Sequence, residues 1–320
     1  MKKAIAVSAD GPAALDEIGK IRMWIDYTRI AQIKLRGEVN GGKYTCGVGD
    51  SDLGRIDRWM ASVKHYQVTR VAENVFCDGL DILTRNNAEL ACLSLNNDKL
   101  RVDVVPALGG KIVRLLDKKN GVDLMLPPES AFHKAAGGYE EYIVEQLGGT
   151  EFWGIPYDGS TTGNTITLKG RSPAGREVTR RFTLEGNTLV LKTTVKNTTS
   201  LPLPVTIWTR PQFPLQDFKD AQIFFDTVGG GAVALSAKDF SINWSELSKK
   251  YEGNDLPAGK VVFKLKNTTV TTQFNPKTAG QFQVFNNGGV TQMISLELHG
   301  KPVILQPNET AALEQRWVIE

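Results

Sequence analysis

Histidine and cysteine are the scarcest reactive residues in this chain of 320 residues, with three of each. Cys46, Cys77 and Cys92 form no C-x-x-C pair and have no histidine cluster nearby, so neither a zinc site nor a redox motif is readable. Their odd count argues against a disulfide framework, and the sequence calls for no metal and no cofactor. Charge of one sign is not concentrated either: 38 Lys+Arg against 35 Asp+Glu leave a formal net charge of +3. No basic run is longer than pairs such as Lys118-Lys119 and Arg180-Arg181, and nothing in that pattern points to nucleic acid or a membrane surface. Long apolar runs are missing as well. Met1-Lys2-Lys3 mimics a secretory n-region, but Ala4 to Val7 falls short of the ~7–15 apolar residues that a signal peptide needs. The chain reads as soluble, without a signal peptide or a transmembrane helix, and its compartment stays open.

What is present is ordinary globular material, 41% hydrophobic and 23% charged, enough for one large domain plus a smaller piece. Apolar residues at Ile18, Ile21, Ile25, Ile30 and Ile33 follow helical spacing and predict a helix within Leu15 to Leu35. Asp10-Gly11-Pro12 marks its start and Gly37 its stop. A glycine-rich loop follows at Asn40-Gly41-Gly42 and Gly47 to Gly49, and Leu53, Ile56, Met60 and Val63 predict a second helix behind an Asp50 or Ser51 cap. Residues 1–80 are therefore expected to form a helical segment too small to bury its own apolar faces.

From Ala88 the texture changes to short β-branched runs between Gly, Asn, Asp and Pro clusters. Leu100 to Val105, Lys111 to Leu116, Thr165 to Leu168, Arg181 to Leu184, Leu189 to Val195, Val205 to Thr209, Val261 to Leu265, Val270 to Phe274 and Val303 to Leu305 read as strands. Glu185-Gly186-Asn187 is a hairpin turn in which glycine supplies the positive φ. Residues 81–320 are thus expected to be mainly β, a large two-sheet antiparallel β-sandwich, or supersandwich, behind the N-terminal helical segment.

Three local patterns stand in an order that resembles one family. The run Leu100-Arg101-Val102-Asp103-Val104-Val105-Pro106-Ala107-Leu108-Gly109-Gly110-Lys111-Ile112 is similar to the opening of a galactose mutarotase-like (aldose 1-epimerase-like) domain, where a strand ends in a Gly-Gly turn. Arg181 to Leu184, Val195-Lys196-Asn197-Thr198 and Leu203 to Trp208 resemble its central hairpin, and Leu305 to Thr310 with Arg316-Trp317 its closing turn and strand. The resemblance covers Ala88 to Glu320. It implies a carbohydrate ligand, and in the enzymes of the family a glutamate base and a histidine acid. Glu297, in Met293-Ile294-Ser295-Leu296-Glu297, matches the base. At the acid's position stands Arg210, in Thr209-Arg210-Pro211, and an arginine does not release its proton near neutral pH. Leu147 to Trp153, where a second histidine belongs, contains none. Epimerase chemistry is therefore expected to be lost.

Arg210 and Glu297 are the leading candidates for clamping vicinal sugar hydroxyls; the same two residues can also form a structural ion pair across two strands. Trp153, Tyr139 and Tyr157 lie in glycine-rich, loop-like sequence where an exposed ring can stack on a pyranose, or fill the core beneath a loop. Lys111 reads as solvated, His65 as a surface or interface residue, His133 as a solvated loop residue, and His299, in a Leu-His-Gly-Lys-Pro turn, as the least promising histidine. Glu140, Glu141, Glu145 and Glu151 concentrate carboxylates, which leaves a glycoside hydrolase or lyase in play. Residues 22–36, 53–63 and 68–73 are similar to the tail of a glycoside-hydrolase-type catalytic domain, which implies a partner catalytic domain packing on the N-terminal helices. Two functions follow: a carbohydrate-binding or structural accessory domain of a carbohydrate-active protein, or a sugar-active enzyme.

Overall fold

The computed structural model describes residues 11–30, 36–47, scattered positions between 54 and 76, 89–126, 137–144, 150–151, 156–172, 174–214, 221–236, 239, 248–286 and 293–320. The chain divides into two compact units, one of residues 1–40, 44–89 and 128–136, the other of residues 41–43, 90–127 and 137–320. No helix among the described residues is long and apolar enough to cross a membrane.

The first unit holds helix α1, Gly11–Ile30, with Pro12 in the first turn, where its missing N–H costs nothing. Trp59 donates its indole N–H to the Met23 carbonyl at 3.1 Å, and both residues are buried. The described residues between 54 and 65 are helical, as the spacing predicts. The glycine-rich stretch after α1 is not a plain loop between helices. Arg36–Asn40 and Lys43–Gly47 are neighbouring strands joined at Gly41 and Gly42. Both glycines have positive φ (54° and 78°), so Asn-Gly-Gly makes a two-residue hairpin turn that a helical reading overlooks.

The second unit is the sandwich. In chain order its principal strands are β1 (Leu93–Asn96), β2 (Leu100–Val105), β3 (Lys111–Asp117), β4 (Tyr139–Val144), β5 (Asp158–Thr162), β6 (Thr165–Arg171), β7 (Arg176–Glu185), β8 (Thr188–Asn197) and β9 (Leu203–Pro214). They continue as β10 (Gln222–Asp226), β11 (Ala232–Leu235), β12 (Ser248–Glu252), β13 (Lys260–Lys264), β14 (Thr269–Phe274), β15 (Ala279–Asn286), β16 (Met293–Gly300) and β17 (Thr310–Ile319). The larger, eleven-stranded sheet runs β12-β15-β16-β9-β4-β3-β2-β1, with short strands Val122–Asp123, Thr150–Glu151 and Val303–Leu305 at its margins. The nine-stranded sheet runs β5-β6-β7-β8-β17-β14-β13-β10-β11. Their pairings are antiparallel, as expected for this fold class, and every strand predicted from sequence is present.

Alternation decides what each strand buries. On β7, Arg176, Val178, Arg180, Phe182 and Leu184 are buried between partly or fully exposed neighbours. The core packs Val102, Val104 and Ile112 of the larger sheet with Ile166, Leu168, Phe182 and Trp317 of the smaller. The Gly-Gly motif earns its place by close approach. Gly110 sits at φ 67°, and a Cβ there would lie 2.5 Å from Leu168 Cδ1. Gly186 closes the β7–β8 hairpin at φ 59°.

One buried ion pair crosses the core. A carboxylate oxygen of Glu141 on β4 lies 2.7 Å from Arg180 Nε of β7, with the two side chains 2% and 1% exposed. Tyr139 and Thr193 donate their hydroxyls to the same carboxylate, and Arg180 also donates to the Glu141 and Gly109 carbonyls. Arg180-Arg181, a surface-looking basic pair in sequence, is therefore split, with Arg180 inside. Burial opposes the guanidinium charge, but Tyr157, Glu141 and Tyr139 outweigh it and hold its pKa above the usual value. Removing one partner strands the other without solvent. Glu141→Ala is expected to lower the unfolding free energy by about 3–5 kcal/mol, measured by urea denaturation; a change under about 1 kcal/mol would show that the pair does not hold the sheets together.

Candidate functional site

The face of the larger sheet turned away from the core carries a row of charges that the strand register lines up. Glu140 pairs with Arg210 across β4 and β9, and Gln283 with Glu297 across β15 and β16. Arg210 Nε lies 3.2 Å from Glu297 Oε1, and Trp208 donates its indole N–H to Glu297 Oε2 at 2.9 Å. At the other end, Lys111 Nζ lies 2.5 Å from Glu140 Oε1 and donates to the Gly137 carbonyl at 3.0 Å. Tyr142 donates to Glu140 Oε2 at 2.6 Å and receives Arg210 Nη1 at 3.4 Å. The row thus alternates Lys111, Glu140, Arg210, Glu297, and each charge faces one of opposite sign.

Burial shapes the electrostatics of this row. It raises the Glu140 carboxyl above its usual pKa against the pull of Lys111 and Arg210, and raises the Tyr142 hydroxyl well above its own. For Arg210 burial acts against the charge, yet Tyr142, Glu297 and Glu140 together lift its pKa higher still. Arg210 also lies over the Phe285 ring at 5.4 Å. Its side chain is 14% exposed against 2% for Glu297, so Arg210 is the more accessible partner of the pair.

The sequence-derived candidates separate in space. Arg210 and Glu297 come together as an ion pair on adjacent strands. Tyr139 is not a loop residue: it begins β4, is fully buried, and meets Trp317 and Phe182 edge to face at 5.3 and 6.3 Å. Tyr157 is 6% exposed beneath Arg180, whose Cζ lies 4.7 Å from its ring centre. Neither ring is a stacking platform, because alternation and the inter-sheet arginine turn both inward. Trp153, His133 and the Glu145 position lie outside the described residues, and the side chain of Glu151 is not described. Glu140 and Glu141 are not a solvated acidic loop or a catalytic pair either. Neighbours on one strand, they point to opposite faces and enter separate ion pairs. Lys111, expected in solvent, is 4% exposed because Glu140 compensates it.

His299 is the residue that sequence reading undervalued. Its turn-like context hides a place inside β16, two residues beyond Glu297 and so on the same face. Its ring lies 4.7 Å from the Trp208 ring at 30°, with Nε2 3.9 Å from Glu297 Oε2. The alternating Glu297-Leu298-His299 spacing was the available signal. Among the described residues no group of His, Cys, Asp and Glu is placed to hold a metal ion.

Arg210→Ala leaves Glu297 buried with the Trp208 indole as its remaining close donor. We expect a loss of about 3 kcal/mol of stability, the low end for a broken buried pair because Arg210 keeps some exposure. Chemical denaturation checks it; a loss under about 1 kcal/mol, as for a surface ion pair, would contradict the burial argument.

No protein-family model matches the chain, and no curated relative matches it. Solved structures do. A putative aldose 1-epimerase from Escherichia coli K12 superposes with a TM-score of 0.56 at 14% identity, covering 72% of this chain and 99% of its own. A galactose mutarotase-like protein from Lactobacillus casei ATCC 334 gives 0.57 at 11% identity, covering 72% and 100%. A TPR-domain containing protein from Parabacteroides distasonis ATCC 8503 gives 0.56 at 13% identity, covering 72% of this chain and 47% of its own. At such identities the likeness speaks to architecture, and with the antiparallel sheets, the Gly-Gly turn and the closing strand it establishes that the β-rich part of this chain has the galactose mutarotase-like fold.

Proposed function

We propose that the sandwich is a carbohydrate-binding or structural accessory domain, with its ligand at Arg210 and Glu297 on the outward face of the larger sheet and with epimerase chemistry lost. The observation that carries the reading is the occupation of Glu297. Arg210 Nε lies 3.2 Å from one of its carboxylate oxygens and Trp208 donates to the other, so the group best matched to a base is engaged at both oxygens. A base needs a lone pair aimed at the proton it removes. The position of the acid is filled by an arginine, which keeps its proton. What this face offers instead is recognition: a guanidinium, an indole, an imidazole and the Phe285 ring, suited to hydroxyls on one side and a C–H face on the other. The placement of this sandwich in less than half of the Parabacteroides chain supports an accessory role, in which a partner catalytic domain packs on the N-terminal helical segment.

One observation favours a second reading. His299 sets an imidazole 3.9 Å from the Glu297 carboxylate, the pairing of acid and base that a sugar-active enzyme would need.

Polarimetry and calorimetry separate the two. Anomer interconversion of D-glucose and D-galactose is expected to run at the buffer rate, while glycan binding to the wild type weakens about tenfold or more in Arg210→Ala and Glu297→Gln, the loss of one charge-assisted hydrogen bond. Interconversion above buffer that disappears in both Glu297→Gln and His299→Gln would establish the enzyme. Affinity unchanged in the folded Arg210→Ala and Glu297→Gln proteins would remove the ligand from this face.

A further inference from the structure

Helix α1 has two apolar sides. Met23 is buried on one of them, where the Trp59 indole donates to its carbonyl at 3.1 Å. The opposite side is turned to solvent: Ile21, Trp24 and Ile25 are 58%, 43% and 47% exposed, with Ile18 half-buried beside them. Single apolar side chains on a surface need no explanation, but a contiguous strip marks an interaction site. The spacing of this strip is specific. Ile18, Ile21 and Ile25 stand three and then four residues apart, which are the a, d, a positions of a coiled-coil seam. Met23 falls at f, on the far side, so docking against Trp59 leaves the seam outward. Two charges flank it. Glu17, at g, is exposed and shares Lys20 with Asp16, at 2.8 and 3.0 Å, so Lys20 keeps a partner when Glu17 turns away. Arg22, at e, is exposed and has no carboxylate partner among the described residues.

We propose that this seam takes a second copy of the chain, with the two helices parallel and in register. In that arrangement the g residue of one helix meets the e residue five positions further along the other. Glu17 of each copy then faces Arg22 of its mate, and two ion pairs close the flanks of the isoleucine core. An antiparallel pair would bring the two e flanks together, with Arg22 on both sides and no carboxylate between them. A third helix would bury the charged e flank, so Arg22 limits the assembly to two. An unrelated apolar partner would cover the isoleucines alone, whereas the second copy covers them and answers both charges at the same spacing. The helix is already folded and tethered through Met23 and Trp59, so pairing carries no cost of helix nucleation. The seam is short, which places the interface in the small, reversible class. None of its residues takes part in the proposed glycan site.

Sedimentation velocity on the whole chain, from low micromolar to a few hundred micromolar, tests the proposal. The wild type is expected to pass from monomer to dimer as concentration rises. Ile21→Glu places a charge in the seam, and Arg22→Glu sets carboxylates face to face. Each is expected to weaken the dimer about tenfold or more, and Glu17→Arg/Arg22→Glu to restore it by exchanging the partners. All three positions are exposed in the single chain, and circular dichroism verifies that the variants fold. A wild type that stays monomeric throughout would overturn the proposal and hand the strip to the partner catalytic domain. So would a dimer that Ile21→Glu leaves intact, since it must form elsewhere. A double variant that associates no better than Arg22→Glu would overturn the parallel pairing of Glu17 with Arg22.

Discussion

Two consecutive carboxylates on β4 organise this molecule. Glu141 faces the core and holds Arg180 of the opposite sheet, with Tyr139 and Thr193 completing its shell. Glu140 faces the other way and opens the row that passes through Arg210 to Glu297. Because side chains alternate along a strand, a shift of β4 by one residue would turn Tyr139 and Ile143 out of the core and leave either Lys111 or Arg180 without its carboxylate. A buried unpaired charge is far more costly than a lost apolar contact. The register of β4 is therefore set by electrostatics as well as by the packing of Tyr139 and Ile143.

The same requirement governs the outward face of the larger sheet. Charges can be buried there only if each is answered by a group of opposite sign or a hydrogen-bond donor. Glu297 is answered by the Arg210 guanidinium on one oxygen and accepts from the Trp208 indole on the other. Trp208 is in turn flanked by Tyr142, at 5.1 Å, and by His299. Such a network is stiff: each side chain restricts the next, which suits recognition, where preorganisation lowers the cost of binding. The smaller sheet follows the opposite regime. Its outward charges are about half exposed and paired on the surface, so they contribute little to stability.

The fold and its likeness to the mutarotase architecture were legible in the sequence because both rest on local rules. β-branched runs with period two, the Gly109-Gly110 approach and the Gly186 turn need only their immediate neighbours to declare them. Residue types at the site were legible too, since Arg210 and Glu297 stand in recognisable strand contexts. Exposure was not. Tyr139 and Tyr157 sit among glycines and look like loop aromatics, Lys111 and Arg180 look like solvated cations, and His299 looks like a turn residue. Each was decided by partners distant in sequence, such as Arg180 for Tyr157, Glu140 for Lys111 and Trp208 for His299. The sequence by itself determined the strands, their turns and the chemical inventory; which face each side chain occupies, and which charge answers which, was decided only when the antiparallel register brought distant strands side by side, because a charge can leave water only where a compensating group already waits.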